Sequence, residues 1–228
     1  MTSKDDLDKY NKPGLAVDVI LFTIKNDDIK VGLIKREDNP YLGKYALPGR
    51  FVRYNEKIED TARIALKLKG KINPGEVFLE QLYTFGQNLK RDTRIRTVTI
   101  VYYGLIDSNK IDFQEGNLFT WHSVYNLPEI AFDHKRIIEY SIHRLRKKVQ
   151  ESDFAFQLMS KEFTLTELQR AYEVILGTEL DKRNFRKKIS ELHILKDLHK
   201  KKKGPHRPAA LYSFTRQRND KREWKRDF

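Results

Sequence analysis

Two sets of residues in this chain are of types that could do chemistry. In the first half, Arg36, Arg50, Arg53, Arg91, Arg94 and Arg96 carry guanidinium forks, which match a phosphate or carboxylate with two parallel hydrogen bonds. Phe51, Gln81, Tyr83, Phe85 and Tyr102 add an amide and aromatic faces on which a base or sugar can stack. Taken singly, each arginine reads better as a solvated charge and each aromatic better as core. The second set is the basic run Lys182, Arg183, Asn184, Arg186, Lys187 and Lys188 around Phe185, followed by Lys201, Lys202, Lys203, His206 and Arg207. Lysine and arginine suit phosphates, while Asn184 and Arg183 have the donor geometry for adenine and guanine edges. Within the span of the first set, Glu56, Glu59 and Asp60 are the acids that could hold a hard cation. Acids at a helix start also simply suit its dipole, which is the reading we favour.

The elements that must position these residues can be read from periodicity. Leu15 to Phe22 and Ile29 to Ile34 read as a strand hairpin, and Pro40 to Pro48 as a loop punctuated by glycine and proline. Glu56 to Lys69 is helical in pattern, with Ile58, Ala62, Ala65 and Leu66 near one face. Gly70 stands where a helix end wants a left-handed residue. Val77 to Phe85 and Arg96 to Ile106 are strands rich in β-branched and aromatic residues, joined by the charged connection Gly86 to Ile95. A short strand over Leu118 to Val124 and a helix over Asp133 to Val149 complete a first unit, residues 1–150. This order suits an α+β sandwich.

After residue 150 the pattern changes. Phe163 to Leu176 is a helix, Gly177 breaks it, and Asp181 caps a second helix whose inward residues are Phe185, Ile189 and Leu192. Two short strands, Ile194 to Leu198 and Ala210 to Phe214, flank the basic tip Lys200 to Pro208. Helix, glycine turn, basic helix and basic hairpin together read as a winged helix-turn-helix over residues 151–215. Residues 216–228 form a polar tail.

Composition points the same way. The net charge is +13, and residues 151–228 hold 19 Lys+Arg against 12 Asp+Glu, so the basic excess is concentrated there and a polyanionic partner is expected. With no cysteine, a disulfide framework and cysteine-held zinc are excluded. No apolar run has the length of a membrane span and the first residues lack an apolar signal core, so a cytoplasmic protein with no membrane partner is expected.

Gly43 to Gly70 resembles a Nudix box, in which Gly49, Arg63 and Gly70 fall in register. The four positions that should be glutamate are Asn55, Ile64, Lys67 and Leu68. A lysine about 5 Å from a divalent cation would repel it by roughly 6 to 7 kcal/mol at an effective dielectric near 20, an upper bound because the side chain can swing away. The resemblance therefore implies a Nudix-like α/β/α sandwich with no catalytic residue, no metal and no cofactor. In that fold the arginines named above border the cleft and the aromatics lie on its strands.

With AVDVILF, KYALPGRFV, LEQLYTFG and RDTRIRTVTIVYYGL in the first half, and FTLTELQRAYEVILG, LDKRNFRKKI and RPAALYSF in the second, the chain resembles the Nudix-related transcriptional regulators of the NrtR family. That resemblance implies a homodimeric repressor that binds a double-stranded operator and senses a small effector. In the family this is ADP-ribose, in NAD metabolism, or a pentose such as arabinose. ADP-ribose is the expectation here. Arg50 departs from the pattern, since a second glycine commonly follows Gly49. An active diphosphate hydrolase using Glu56 and an RNA-binding protein are the rival readings.

Overall fold

The computed structural model describes residues 11–70, 72–111, 119–151, 153–202 and 208–215. A seven-stranded mixed sheet lies at its centre. Strand β1, Gly14–Lys25, runs parallel to β6, Thr97–Leu105, on one side. On its other side β1 pairs antiparallel with β2, Asp28–Lys35, through its second half, and with β4, Gly49–Phe51, through its first. β2 also holds the two-residue β3, Tyr45–Ala46, and β7, Phe119–Ser123. β5, Phe78–Phe85, pairs with β6 and forms the far edge.

Residues of β1 alternate between two cores, as a doubly covered strand must. Val17, Val19 and Leu21 pack on helix α1, Ile58–Ala65, through Ala62, Ala65 and Leu66. Ile20 and Phe22 face the opposite layer, where helix α2, His134–Glu151, contributes Ile137, Ile138, Leu145 and Val149. The sheet between two helical layers is the expected α/β/α sandwich.

The end of α1 differs from the sequence expectation. After Ala65 the chain tightens into a π turn, Leu66–Gly70, instead of continuing as an α-helix to Lys69. Gly70 is not left-handed; among the described glycines only Gly43 and Gly177 have positive φ. The wide turn moves the last side chains off the register that a regular helix would give them.

The second unit is a winged helix. Helix α3, Leu165–Leu176, opens on a capping box, in which the Thr164 hydroxyl accepts from the Glu167 amide and the Glu167 carboxylate accepts from Thr164. It closes on Gly177 at φ 72°, a conformation that a side chain would strain. Asp181 caps helix α4, Lys182–Glu191, as expected. Phe185 and Ile189 are buried, with Phe185 edge-on to Tyr172 at 5.4 Å, and Leu192 is half-buried. The wing is β8, Leu195–Lys202, paired with β9, Ala209–Phe214; its strands are longer than the apolar runs alone suggested.

The two units share one apolar cluster. Ile137, Leu145 and Val149 of α2 belong with Leu168, Tyr172 and Ile175 of α3, and Phe156 and Phe163 stack on Phe214. Polar contacts cross as well: Arg146 donates to the Ile175 carbonyl (3.0 Å) and Arg170 pairs with Asp27 in the β1–β2 turn (2.8 Å). Among the described residues no helix is long and apolar enough to cross a membrane.

Candidate functional site

A buried polar cluster lies where the start of β1, the β5–β6 connection and the start of α2 meet. Arg91 is 5% exposed and forks onto Asp133, donating from Nε to one oxygen (3.1 Å) and from Nη2 to the other (2.9 Å). The same Nη2 reaches Asp18 at 3.5 Å, and the Thr99 hydroxyl donates to Asp18 at 2.8 Å. His134 accepts at Nδ1 from the Leu47 amide (3.0 Å), which places its proton on Nε2, 3.7 Å from Asp18. Burial pushes the His134 pKa down, with Asp18 opposing and Arg91 assisting, so the ring stays neutral.

This cluster forms the floor of an open cleft of about 120 Å³. Five cationic side chains line it, Arg36, Arg50, Lys69, Arg91 and Arg94, against the two carboxylates of Asp18 and Asp92. Arg50, Arg91 and Arg94 are already paired with Glu56, Asp133 and Asp92, so Arg36 and Lys69, whose hydrogen bonds go to carbonyl oxygens, are the cations that favour an anionic ligand. Phe132 and Phe51 supply aromatic faces: Arg36 stands 4.9 Å from the Phe132 ring, and Arg94 is 5.5 Å from Phe132 and 5.6 Å from Phe51. Phe132 (φ 57°) and Tyr41 (φ 68°) are both left-handed and pack edge-on at 4.8 Å. Bulky residues in that region each cost of order 1–3 kcal/mol, a kind of strain that clusters at ligand sites.

Gly49 is held at the cleft floor by close approach. A Cβ there would stand 2.1 Å from Asp18 Oδ1 and 2.7 Å from the Val17 carbonyl oxygen. Lys69, swung inward by the π turn, donates to the Gly49 carbonyl at 2.5 Å. Burial lowers the Lys69 pKa, with Arg36, Arg94 and Arg50 assisting and Asp18 opposing. Lys69 is exposed, so the lowering is moderated by water.

The donor set does not fit a divalent cation. The Nudix positions carry Asn55, Ile64, Lys67 and Leu68, and among the described residues no three His, Cys, Asp or Glu come together as ligands. Glu56 is already engaged: its oxygens take Arg50 at 3.1 Å and the Thr61 hydroxyl at 3.2 Å. Glu59 pairs with Arg63 at 2.8 Å. Lys67, the lysine that the box spacing put at the metal position, is exposed.

Of the ligand residues expected from sequence, Arg36, Arg50, Phe51 and Arg94 line this cleft. The others do not. Arg53 is exposed and lies 3.9 Å from Glu56. Arg96 closes its own loop, donating to the carbonyls of Gly86 (2.6 Å) and Thr97 (3.1 Å). Tyr102 is buried in the core beneath α1. Gln81 sits opposite Tyr102 on the far edge strand, with β6 between it and the cleft. Tyr83 and Phe85 belong to the α2 side because a bulge between Gln81 and Tyr83 reverses the alternation of β5; both contact Tyr140. Sequence reasoning missed Asp18, Lys69, Asp92, Phe132 and His134. Asp18 was detectable: an acid inside the apolar run LAVDVILF must find buried partners.

On the winged helix, Lys182, Arg183, Asn184, Arg186 and Lys187 are exposed around buried Phe185, and Lys188 is half-buried. This is the geometry of a recognition helix, with one seam packed and the remainder presented. Lys201 is exposed on β8, whereas Lys202 is held by Glu167 at 2.6 Å. Lys203, His206 and Arg207 lie outside the described residues.

Comparison with known proteins follows the same two-part division. Residues 155–214 match the family model of the NrtR DNA-binding winged helix domain. Over 92% of its length the chain is 33% identical to the ADPR responsive transcriptional repressor NtrR of Acinetobacter baylyi, covering 86% of that protein. It is 34% identical to an ADP-ribose pyrophosphatase of Methanocaldococcus jannaschii over 60% of this chain and 79% of the other. NrtR of Shewanella oneidensis, in crystals with a 27mer DNA, superposes with a TM-score of 0.78 at 34% identity, over 88% of this chain and 93% of that one. The Nudix domain of the same protein, in crystals with ADP ribose, matches 64% of this chain and 99% of its own at 32% identity, with a TM-score of 0.52. The chain belongs to the NrtR family, with the Nudix domain and C-terminal winged helix of those regulators.

Proposed function

We propose that this chain is a DNA-binding transcriptional repressor whose Nudix-like half, residues 1–150, senses ADP-ribose without hydrolysing it. Residues 151–215 bind the operator, and residues 216–228 are a polar tail. The observation that carries this reading is the cleft itself: five cations and two aromatic faces, with no set of ligands for a divalent ion, joined through one core to a winged helix with an exposed basic face. The Acinetobacter relative is ADPR responsive and the Shewanella relative crystallises with both DNA and ADP ribose, which supports the same pairing here.

The cleft has a volume of about 120 Å³. A whole small-molecule pocket holds roughly 300 Å³ or more, so this open cleft suits a diphosphate, with base and sugars extending beyond it against Phe51 and Phe132. A neutral pentose would leave Arg36 and Lys69, whose hydrogen bonds go to carbonyl oxygens, without an anionic partner, which disfavours the sugar reading. Hydrolysis through Glu56 is disfavoured because Arg50 and Thr61 already occupy its carboxylate.

Operator recognition falls to Arg183 and Asn184 in the first turn of α4. Lys182, Arg186, Lys187, Lys188 and Lys201 hold phosphates, each contact steepening the log-log salt dependence by about 0.9. The active form is a cytoplasmic homodimer bound to paired half-sites. A thermal-shift series tests the effector: ADP-ribose raises the melting temperature and arabinose does not, because only a ligand of the folded state stabilises it. Stabilisation by arabinose alone would reverse the assignment.

A further inference from the structure

The Nudix-like helix α1 delivers one side chain that its sequence pattern did not predict. In a regular α-helix each residue advances about 100° around the axis, so the extra residue of a π turn rotates everything beyond it by about that amount. Lys67, Leu68 and Lys69 of the turn Leu66–Gly70 are all exposed, and of the three it is Lys69 that lines the cleft and donates its ammonium to the carbonyl of Gly49. Gly49, the first residue of β4, pairs with Asp18 of β1, and it is where a side chain would collide with the Asp18 carboxylate. Arg36, Arg50 and Arg94 line the same cleft, which lacks a set of carboxylates able to hold a divalent ion.

We propose that Lys69 is the built-in cation of this cleft, standing where a metal would otherwise serve and binding the diphosphate of the effector directly. This rests on the reading of the cleft as an ADP-ribose site. An ammonium has three N–H donors, and with one given to Gly49 two remain for phosphate oxygens. A compact single charge on a flexible stem neutralises and orients a diphosphate. It does not supply the Lewis acidity with which a divalent ion prepares a phosphoryl group for attack. Binding is thereby separated from cleavage by the same helix that supplies metal ligands in an active Nudix site.

The test is isothermal titration of the full-length protein with ADP-ribose and with inorganic diphosphate, each in EDTA and in magnesium, for wild type, Lys69→Met, Lys69→Gln and Lys69→Arg. The expected result is wild-type affinity independent of magnesium. Lys69→Met and Lys69→Gln each lose about tenfold or more for both ligands, the worth of a charge-assisted hydrogen bond, with melting temperatures close to wild type. Lys69→Arg retains most of the affinity. Equal diphosphate affinity in wild type and Lys69→Met, or a requirement for magnesium, overturns the proposal. Wild type that binds diphosphate but not ADP-ribose overturns the effector assignment instead, and Lys69 is then judged on diphosphate alone.

Discussion

Replacing Arg91 with alanine removes the group that ties the β5–β6 connection to both β1 and α2. Arg91 is 5% exposed, and its fork satisfies both oxygens of Asp133 while reaching Asp18. Without it two carboxylates remain in a buried site, with the Thr99 hydroxyl still on Asp18 but no opposite charge on Asp133 from this arginine. Removing one partner of a buried pair costs about 3–5 kcal/mol, because the remaining charge stays desolvated. At about 2–4 °C per kcal/mol for a chain of this size, the melting temperature should fall by about 6–20 °C. Arg94, in the same connection but 43% exposed and paired with Asp92, provides the control. Arg94→Ala should cost at most about 1 kcal/mol in stability while weakening ADP-ribose binding. Differential scanning fluorimetry, followed by ADP-ribose titration of each folded variant, separates the two roles. An Arg91→Ala protein that melts within a degree or two of wild type would refute the argument that this ion cluster holds the cleft floor together.

Three further outcomes follow from the geometry. Gly49→Ala would place a methyl 2.1 Å from Asp18 Oδ1 and 2.7 Å from the Val17 carbonyl, so it should lower the melting temperature and weaken ADP-ribose binding together; a neutral effect in both would contradict the close approach. Arg183→Ala and Asn184→Ala should lose discrimination between operator and unrelated DNA by about 1–3 kcal/mol each, whereas Lys187→Ala should weaken both alike, as read by fluorescence anisotropy. Stability should fall as pH drops through about 6.5, because the unfolded chain protonates His134 there while the native ring, with its lowered pKa, does not. His134 faces Asp18, Arg91, Asp133 and Arg36. His134→Asn, which keeps an acceptor for the Leu47 amide, should reduce the fall in melting temperature between about pH 7.5 and 5.5, the remainder coming from His122, whose pKa burial also lowers, and an unchanged slope would contradict the assignment.

The sequence made the layers legible and left part of the cleft hidden, for physical reasons that can be named. Strand β1 and helices α2, α3 and α4 announce themselves because periodic apolar residues must find a core, and because Asp181 and Gly177 carry the cap chemistry that ends a helix. The recognition helix is legible for the same reason, since Phe185 and Ile189 fix which faces remain outside. The cleft depends on two local irregularities with no periodic signature. One extra residue in β5 turns Tyr83 and Phe85 to the α2 side, and after α1 the π turn carries Lys69, not Lys67, to the Gly49 carbonyl. Its floor is assembled from residues distant in the chain: Arg91 lies 73 residues from Asp18 and 42 from Asp133. Charge pairing at that range leaves no mark on local pattern, except that Asp18 is conspicuous in an apolar strand.

The most direct measurement is fluorescence anisotropy of a labelled operator duplex bound to the full-length protein, titrated with ADP-ribose in EDTA, with the ligand recovered and analysed afterwards. A repressor that senses ADP-ribose without cleaving it should show a concentration-dependent change in operator affinity that saturates and that moves to about tenfold or more higher ligand concentration in Lys69→Met. The recovered ADP-ribose should be intact, with or without added magnesium. Operator affinity indifferent to ADP-ribose, or magnesium-dependent release of AMP that Glu56→Gln abolishes, would contradict it.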